Sequence, residues 1–356
     1  MSSGAPAYSL LIATYNRPDV LRLCLSLASA QTVPPLQMVV VDASEGWEAS
    51  RDACLETVHA AGYRGEFVYQ KAVERSLTTQ RNQALRVATS DILFLFDDDS
   101  LMYPECAERI LEVYATFPGA AGVRASAARS PPIALDGAGA TKLTGLQPGS
   151  KAERLLNLPG ARWLFEKVAM QNVEQHFIPY EGWSEWAIPP SELERVGAAP
   201  ERLFQGFLMT FRRSAIEGLV FEEAFTAYAA GEDLDFSYRA GKRGPLLAAK
   251  GALVYHHQAA RGRLARDVVI TLGLLNQAYC LRKHSGPNLA VNVRRFRILM
   301  VRRFFAEAVK DLLSRRWTLP QVRGMLRAAR GAPGVFAADP AEAEGLHQAR
   351  QRALIG

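Results

Sequence analysis

Short, nearly continuous apolar runs alternate with longer amphipathic stretches from residue 8 to residue 97. YSLLIATYN reads as a strand ending in polar residues, Pro18 opens a helix running through about Ala30, and LQMVVVDAS reads as a second strand closing on Asp42. A helical stretch near 48–61, a weaker strand EFVYQ, the helix LTTQRNQALRVA and the strand DILFLF follow. Strands that are apolar on both faces and joined through helices predict a mostly parallel sheet covered on both sides. In an open α/β sheet of this kind, ligands bind beyond the carboxyl ends of the strands, where helix N-termini also point. ATYNRP, DAS and DDDS all fall at those ends.

The pattern weakens after residue 120. GAAGVRAS reads as another strand, but residues 130–160 mix Gly, Pro and polar positions without a period and are expected to be loops with short elements. Trp163, Phe177, Tyr180, Trp183 and Trp186 form an aromatic-rich stretch, suited either to core anchoring or to lining an acceptor groove. Regular signals return with RLFQGFLMTFRRSAIEG, an internal strand followed by a short helix. After it come the helix opened by Glu232 and Asp233 in AAGEDLDFSYRAGKRG and the strand ending in ALVYHH.

Charge divides the chain. Residues 261–330 carry sixteen Lys or Arg against Asp267, Glu307 and Asp311, a net of +13, whereas the whole chain is only +6 and residues 1–260 sum to −6. The expected organisation is a catalytic domain over 1–260 and a basic helical region over 261–356. Within the latter, VNVRRFRILMVRRFFAEAVKDLLSRRW sets Val293, Phe296, Met300, Phe304, Ala308 and Leu312 at helical spacing beside arginine pairs at 294/295 and 302/303. Residues 289–316 are therefore expected to form an amphipathic helix, either packed on the catalytic domain or lying on an anionic membrane surface. The four cysteines are scattered and form no metal knuckle or disulfide framework. With no signal-peptide pattern and no apolar run of spanning length, the expected location is cytoplasmic, with peripheral attachment to the inner face of the plasma membrane as an added expectation.

The chemistry concentrates in FLFDDDS. Three adjacent carboxylates repel one another, and a hard cation such as Mg²⁺ or Mn²⁺ would offset that repulsion and bridge to phosphate oxygens. Strand alternation directs Asp97 and Asp99 to one side and Asp98 to the other. The competing reading is a solvated turn in which Ser100 or Asp99 caps the helix PECAERILEVY. Thr14, Tyr15 and Arg17 offer hydroxyl, ring and guanidinium groups, Asp42 offers an acceptor, and Arg81 near the start of its helix can meet a diphosphate or a base. Asp233 is the candidate proton acceptor, with Glu232 beside it and Asp235 turned off that face of the helix. Of the two histidines ending ALVYHH, His256 is the favoured metal or phosphate contact. No GxGxxG or P-loop pattern follows any strand, which disfavours a dinucleotide-binding fold and a P-loop ATPase.

In that order, ATYNRP, VVVDAS, QRN, FLFDDDS, GFLMTFRR, GEDLDFSYRAGKRG and ALVYHH resemble the family-two inverting nucleotide-sugar glycosyltransferases with the GT-A fold. The resemblance implies a Rossmann-like, mostly parallel central sheet with flanking helices, and a divalent cation as cofactor. It implies that Thr14, Tyr15, Arg17 and Asp42 contact the donor nucleotide and Arg81 the nucleotide or diphosphate. Asp97 and Asp99 match the ends of a DxD motif, Asp99 as the direct metal ligand and Asp97 nearer the ribose, with Asp98 between them. Asp233 matches the general base of an ED motif, and His256 a late histidine that approaches the metal or diphosphate. The implied reaction is transfer from a nucleoside-diphosphate sugar, a UDP-sugar favoured, to a saccharide or lipid-linked acceptor in surface polysaccharide or glycoconjugate synthesis. A nucleotidyltransferase using a nucleoside triphosphate and a catalytically silent nucleotide-sugar-binding protein are the alternatives. A nucleic-acid partner is not expected, because residues 1–260 are net acidic and carry no base-reading module.

Overall fold

Among the described residues, nine strands form one mixed sheet: β1 (Tyr8–Thr14), β2 (Gln37–Asp42), β3 (Glu66–Lys71), β4 (Ile92–Asp97), β5 (Ser100–Met102), β6 (Gly122–Ala127), β7 (Ala198–Glu201), β8 (Met209–Arg212) and β9 (Leu246–His256). Their order is β3-β2-β1-β4-β8-β6-β9-β5, with β7 also pairing β9. This is a computed structural model, and it describes residues 7–135, 170, 172–226, 229–257 and 264–355. Trp163 and most of the loop stretch 130–160 lie outside the described residues, as do 258–263 around the charge boundary.

The alternation of side chains along each strand explains why the sheet is buried on both faces. Leu10 and Ile12 of β1, Met38 and Val40 of β2, and Phe94 and Phe96 of β4 belong to one apolar layer. Their neighbours Leu11, Val39, Val41, Leu93 and Leu95 belong to the other. Tyr8 stacks on Phe94 at 4.2 Å between ring centroids, and each such ring buried from water stabilises the fold by about 1.5–3 kcal/mol. Helices α1 (Pro18–Ser29), α2 (Trp47–Ala60), α3 (Leu77–Val87) and α4 (Cys106–Thr116) cover these layers, followed by the short α5 (Pro190–Arg195) and α6 (Arg213–Ile216) and by α7 (Glu232–Gly241).

Two features depart from a simple parallel sheet. β8 runs antiparallel between β4 and β6. Ser100 is not a helix cap: it begins β5, which pairs antiparallel with β9 in the register Ser100↔His256, and α4 starts only at Cys106 with no side-chain cap.

The sheet and these helices form one compact unit (Met1–Thr141, Ser184–Glu223 and Glu232–Arg261). A second comprises Lys142–Trp183, Ala224–Gly231 and Gly262–Gly356. The second unit contains α8 (Arg266–His284), α9 (Leu289–Leu313), α10 (Pro320–Phe336) and α11 (Ala343–Ile355). Helices α8 and α10 approach closely at Gly324, where a Cβ would come within 2.6 Å of the Asp267 carbonyl oxygen. Phe177, Tyr180 and Trp183 pack ring against ring in this unit, whereas Trp186 belongs to the first, where its indole N–H donates to the Gly241 carbonyl at 3.0 Å.

A buried histidine gives the second unit a predictable response to acid. Asn276 donates its amide to the Ala230 carbonyl, which leaves its oxygen to accept from His347 Nε2 at 2.9 Å. His347 Nδ1 has no partner, and burial, reinforced by Arg350, lowers the imidazole pKa to about 4. The unfolded chain takes up this proton near pH 6.5, so the stabilisation is complete above that pH and is lost as pH falls toward 4. Between pH 6.5 and 5 the loss is about 2 kcal/mol. Urea denaturation across that range is expected to show it, and His347→Gln to reduce the slope by that amount.

Candidate active site

Of the three carboxylates at the end of β4, Asp98 and Asp99 share Arg17 and Asp97 pairs with a different arginine. Asp98 accepts from Thr14 Oγ1 at 2.8 Å and from Arg17 Nη1 at 3.0 Å. Asp99, which is 2% exposed, lies 3.0 Å from His256 Nε2 through Oδ1, and its Oδ2 lies 3.5 Å from Arg17. Asp97 is partly open and pairs with Arg81 at 2.8 Å. Burial, and then the neighbouring Asp99 charge, push the Asp98 carboxyl up to about 7 against the opposing pull of Arg17 and Thr14. The thiol of Cys24 donates to the Ser100 carbonyl beneath the turn at 3.3 Å.

Asp97, Asp99 and His256 bring a ligand atom each to within 4.8 Å of one another. Two carboxylate oxygens and one imidazole nitrogen suit Mn²⁺, or Mg²⁺ with water completing its shell. The residues present therefore fit a divalent cation. The β5–β9 pairing delivers His256 to this place, and Phe207 stacks on its ring at 4.3 Å. His257 is instead tied through its backbone N–H to the Asp99 carbonyl.

Arg81 joins this cluster to the start of α7. Its side chain is 4% exposed; Nη1 pairs with Glu232 at 2.5 Å, and Nη2 reaches Asp97 at 2.8 Å and the Gly206 carbonyl at 3.3 Å. Burial raises the Glu232 pKa and Arg81 opposes the rise, while the second oxygen of Glu232, Oε2, is buried without a hydrogen bond. Asp233 accepts the Gly206 N–H at 2.9 Å through Oδ2 and the Leu234 N–H at 2.9 Å through Oδ1. Its packed surroundings raise its pKa, and the Gly206 N–H and Arg81 work against that rise. The carboxylate is thus held in a fixed orientation while each oxygen keeps a further lone pair. Asp235 points elsewhere and pairs with Arg239 at 2.6 Å.

The residues read as nucleotide contacts gather at the ends of β1 and β2. The Tyr15 ring carries the Arg75 guanidinium 3.9 Å from its centroid. Asn16 turns into the left-handed region, φ 54°, and its N–H donates to Ser44 Oγ at 2.8 Å. Asp42 is buried and accepts from the Ser44 N–H and hydroxyl through one oxygen and from Tyr69 OH at 2.6 Å through the other.

Sequence reasoning did not single out Tyr69, Ser44, Arg75, Gly206 or Phe207. It also did not distinguish the flanks of Arg81: Gln80 clamps the ends of β1 and β2 through the Thr14 and Val41 carbonyls, and Asn82 holds Phe221 and Glu223. The available signal was the QRN run itself, three consecutive polar residues on a helix whose buried state demands partners.

The model of the family described as Glycosyl transferase family 2 matches residues 9–130. The Bacillus subtilis (strain 168) protein named "Putative glycosyltransferase EpsH" is 27% identical over 106 residues, a span of 30% of this chain and 30% of that protein. Among solved structures, the mannosyltransferase PcManGT from Pyrobaculum calidifontis, in complex with GDP-Man and Mn²⁺, aligns with a TM-score of 0.48 and 16% identity, covering 99% of this chain and 86% of that one. TarS from S. aureus aligns with a TM-score of 0.44 and 13% identity, covering 77% and 39% respectively.

Proposed function

For a chain whose residues 9–130 belong to glycosyl transferase family 2, we propose metal-dependent, inverting transfer of a sugar from a nucleoside-diphosphate sugar to a hydroxyl of a saccharide or lipid-linked saccharide. The observation that carries this reading is one continuous constellation: the Asp97, Asp99 and His256 ligand set and the oriented Asp233 carboxylate, connected through Arg81 and Gly206. Thr14, Tyr15, Arg17 and Asp42 form the nucleotide side of the site, with Arg17 and Asp98 fixing the turn between nucleotide and cation.

Asp99 and His256, with Asp97, would hold the divalent cation, Mn²⁺ or Mg²⁺. When bound, that cation supplies Lewis-acid stabilisation of charge on the departing diphosphate. Asp233 orients the acceptor hydroxyl and takes its proton as the oxygen attacks the anomeric carbon; the bond to the nucleoside diphosphate breaks on the opposite face, and configuration inverts. A diphosphate leaves without protonation, so one carboxylate base suffices where an inverting glycosidase needs two carboxyl groups. Glu232 and Asp97 are oriented by Arg81, whose charge is taken up by those two carboxylates. The base works best deprotonated, so transfer is expected to rise with pH through the raised pKa of Asp233 and then level.

We place the enzyme at the inner face of an anionic membrane, in surface polysaccharide or glycoconjugate synthesis, with α9 of the second unit as the contact. No helix among the described residues is long and apolar enough to cross a bilayer. Calorimetric titration with a panel of nucleotide sugars, UDP-sugars first, is expected to give binding of one donor with Mn²⁺ or Mg²⁺ and at least about tenfold weaker binding with chelator. Binding of a nucleoside triphosphate in preference to every sugar donor would shift the reading to nucleotidyl transfer.

A further inference from the structure

Helix α9 buries a different face from the one its apolar spacing suggests. Of the stripe from Val293 to Leu312, only Phe296 is fully buried, against Phe336 at 5.4 Å, and Leu312 is 53% exposed. The buried face is partly polar. Asn292 donates to the Tyr180 carbonyl at 2.8 Å and to Ser285 Oγ at 2.9 Å. Asp311 accepts from the backbone and side chain of Gln321, and Glu307 is held by Arg303 and Lys310.

This rotation leaves an apolar ridge on the outside. Val291, Ile298, Phe305 and Leu312 recur at intervals of seven and are 53%, 52%, 62% and 53% exposed, with Val301 at 60% between them. Seven residues are nearly two helical turns, so the ridge runs straight along the helix. Arg294 lies within it, Arg295 and Arg302 line one side, Arg297 the other, and all four are exposed. The acids of this helix, Glu307 and Asp311, are both on the buried face, so its exposed charge is entirely positive. At the far end Trp317 is 74% exposed.

Charge complementarity selects the occupant. A second copy packed ridge to ridge would set arginine rows against each other, and a nucleic acid would engage the arginines without covering Ile298, Val301 and Phe305. An anionic bilayer satisfies both parts, with acyl chains for the ridge, headgroup phosphates for the arginines and the interface for the indole. We propose that the outer ridge of α9, Val291 to Leu312, lies in the headgroup–acyl boundary of an anionic membrane with its flanking arginines on the headgroups. The proposal rests on the membrane location given above and is independent of the transfer chemistry.

The test is cosedimentation of the full chain with phosphatidylglycerol-containing vesicles and with pure phosphatidylcholine vesicles, beside sedimentation velocity and vesicle-free donor hydrolysis. Wild type is expected to bind the anionic vesicles alone. Ile298→Ser with Phe305→Ser is expected to lower partitioning by about tenfold or more. Arg295→Gln with Arg302→Gln is expected to weaken binding and its salt dependence, donor hydrolysis being unchanged in both. Should the double serine variant lose helicity, Val301→Ser alone serves the same comparison. Undiminished binding by the folded serine variants would overturn the proposal. So would absence of wild-type binding, or a wild-type dimer that the serine changes dissociate. Vesicle binding without donor hydrolysis in the wild type would leave this proposal standing and remove the transferase reading.

Discussion

Asp233→Asn is expected to keep donor and metal affinity within about twofold while lowering sugar transfer by about 10²- to 10⁴-fold, the usual contribution of a positioned base. The substitution conserves shape. The amide oxygen can still accept the Gly206 or Leu234 N–H that now holds the carboxylate, so the start of α7 and the Arg81 network remain in place. What disappears is the capacity to accept the acceptor's proton. Isothermal titration beside a transfer assay separates the two effects, because a structural role for Asp233 would lower binding and turnover together. Normal transfer by Asp233→Asn would move the base elsewhere, with Glu232 next in line because its second oxygen is free of hydrogen bonds and only its first is held by Arg81.

Asp99→Ala is expected to abolish metal-dependent donor binding and to lower turnover by about 10³-fold or more, since charge stabilisation at a leaving group is worth several kcal/mol. Asp99 and His256 face each other at 3.0 Å, so removing the carboxylate takes away one ligand and the partner that orients another. Asp98→Asn is the informative contrast. Asp98 faces Thr14 and Arg17 and is not part of the ligand set, so its loss is expected to weaken nucleotide binding while leaving Mn²⁺ affinity largely intact. The reverse pattern, with metal affinity kept in Asp99→Ala and lost in Asp98→Asn, would exchange the two roles.

The sheet was legible because its signals are local. Nearly continuous apolar runs of strand length mark β1, β2 and β4, and the polar residues closing each strand mark the carboxyl edge of the sheet. The alternation expected to separate Asp97 and Asp99 from Asp98 stops with β4 at Asp97, and the turn that follows sets Asp98 on Thr14 and Arg17 and Asp99 beside His256. Strand direction is not written in a local pattern, so β8 could be read as internal but not as antiparallel. β5 was hidden because it has only three residues and Ser100 resembles a helix cap, whereas its pairing with β9 depends on a strand far along the chain.

Long-range polar pairing was equally out of reach. Arg81 and Glu232 are 151 residues apart, and nothing in either segment announces that the guanidinium would be committed to two carboxylates and a carbonyl. The same cause turned the reading of α9. Hydrophobic spacing assumes that apolar side chains point inward, yet Asn292 and Asp311 find hydrogen-bond partners on neighbouring segments of their own unit and take the inner face. Apolar residues are thereby left outside.

Metal-dependent transfer from a nucleotide sugar by the DDD, ED and histidine residues has one decisive consequence, diphosphate release that needs the cation. The most direct measurement is release of nucleoside diphosphate from a panel of nucleotide sugars by the full chain, with Mn²⁺ or Mg²⁺ and again with chelator. Slow release from one donor, stopped by chelator and by Asp99→Ala, is the expected result. Release of pyrophosphate from a nucleoside triphosphate, with every nucleotide sugar left intact, would contradict it.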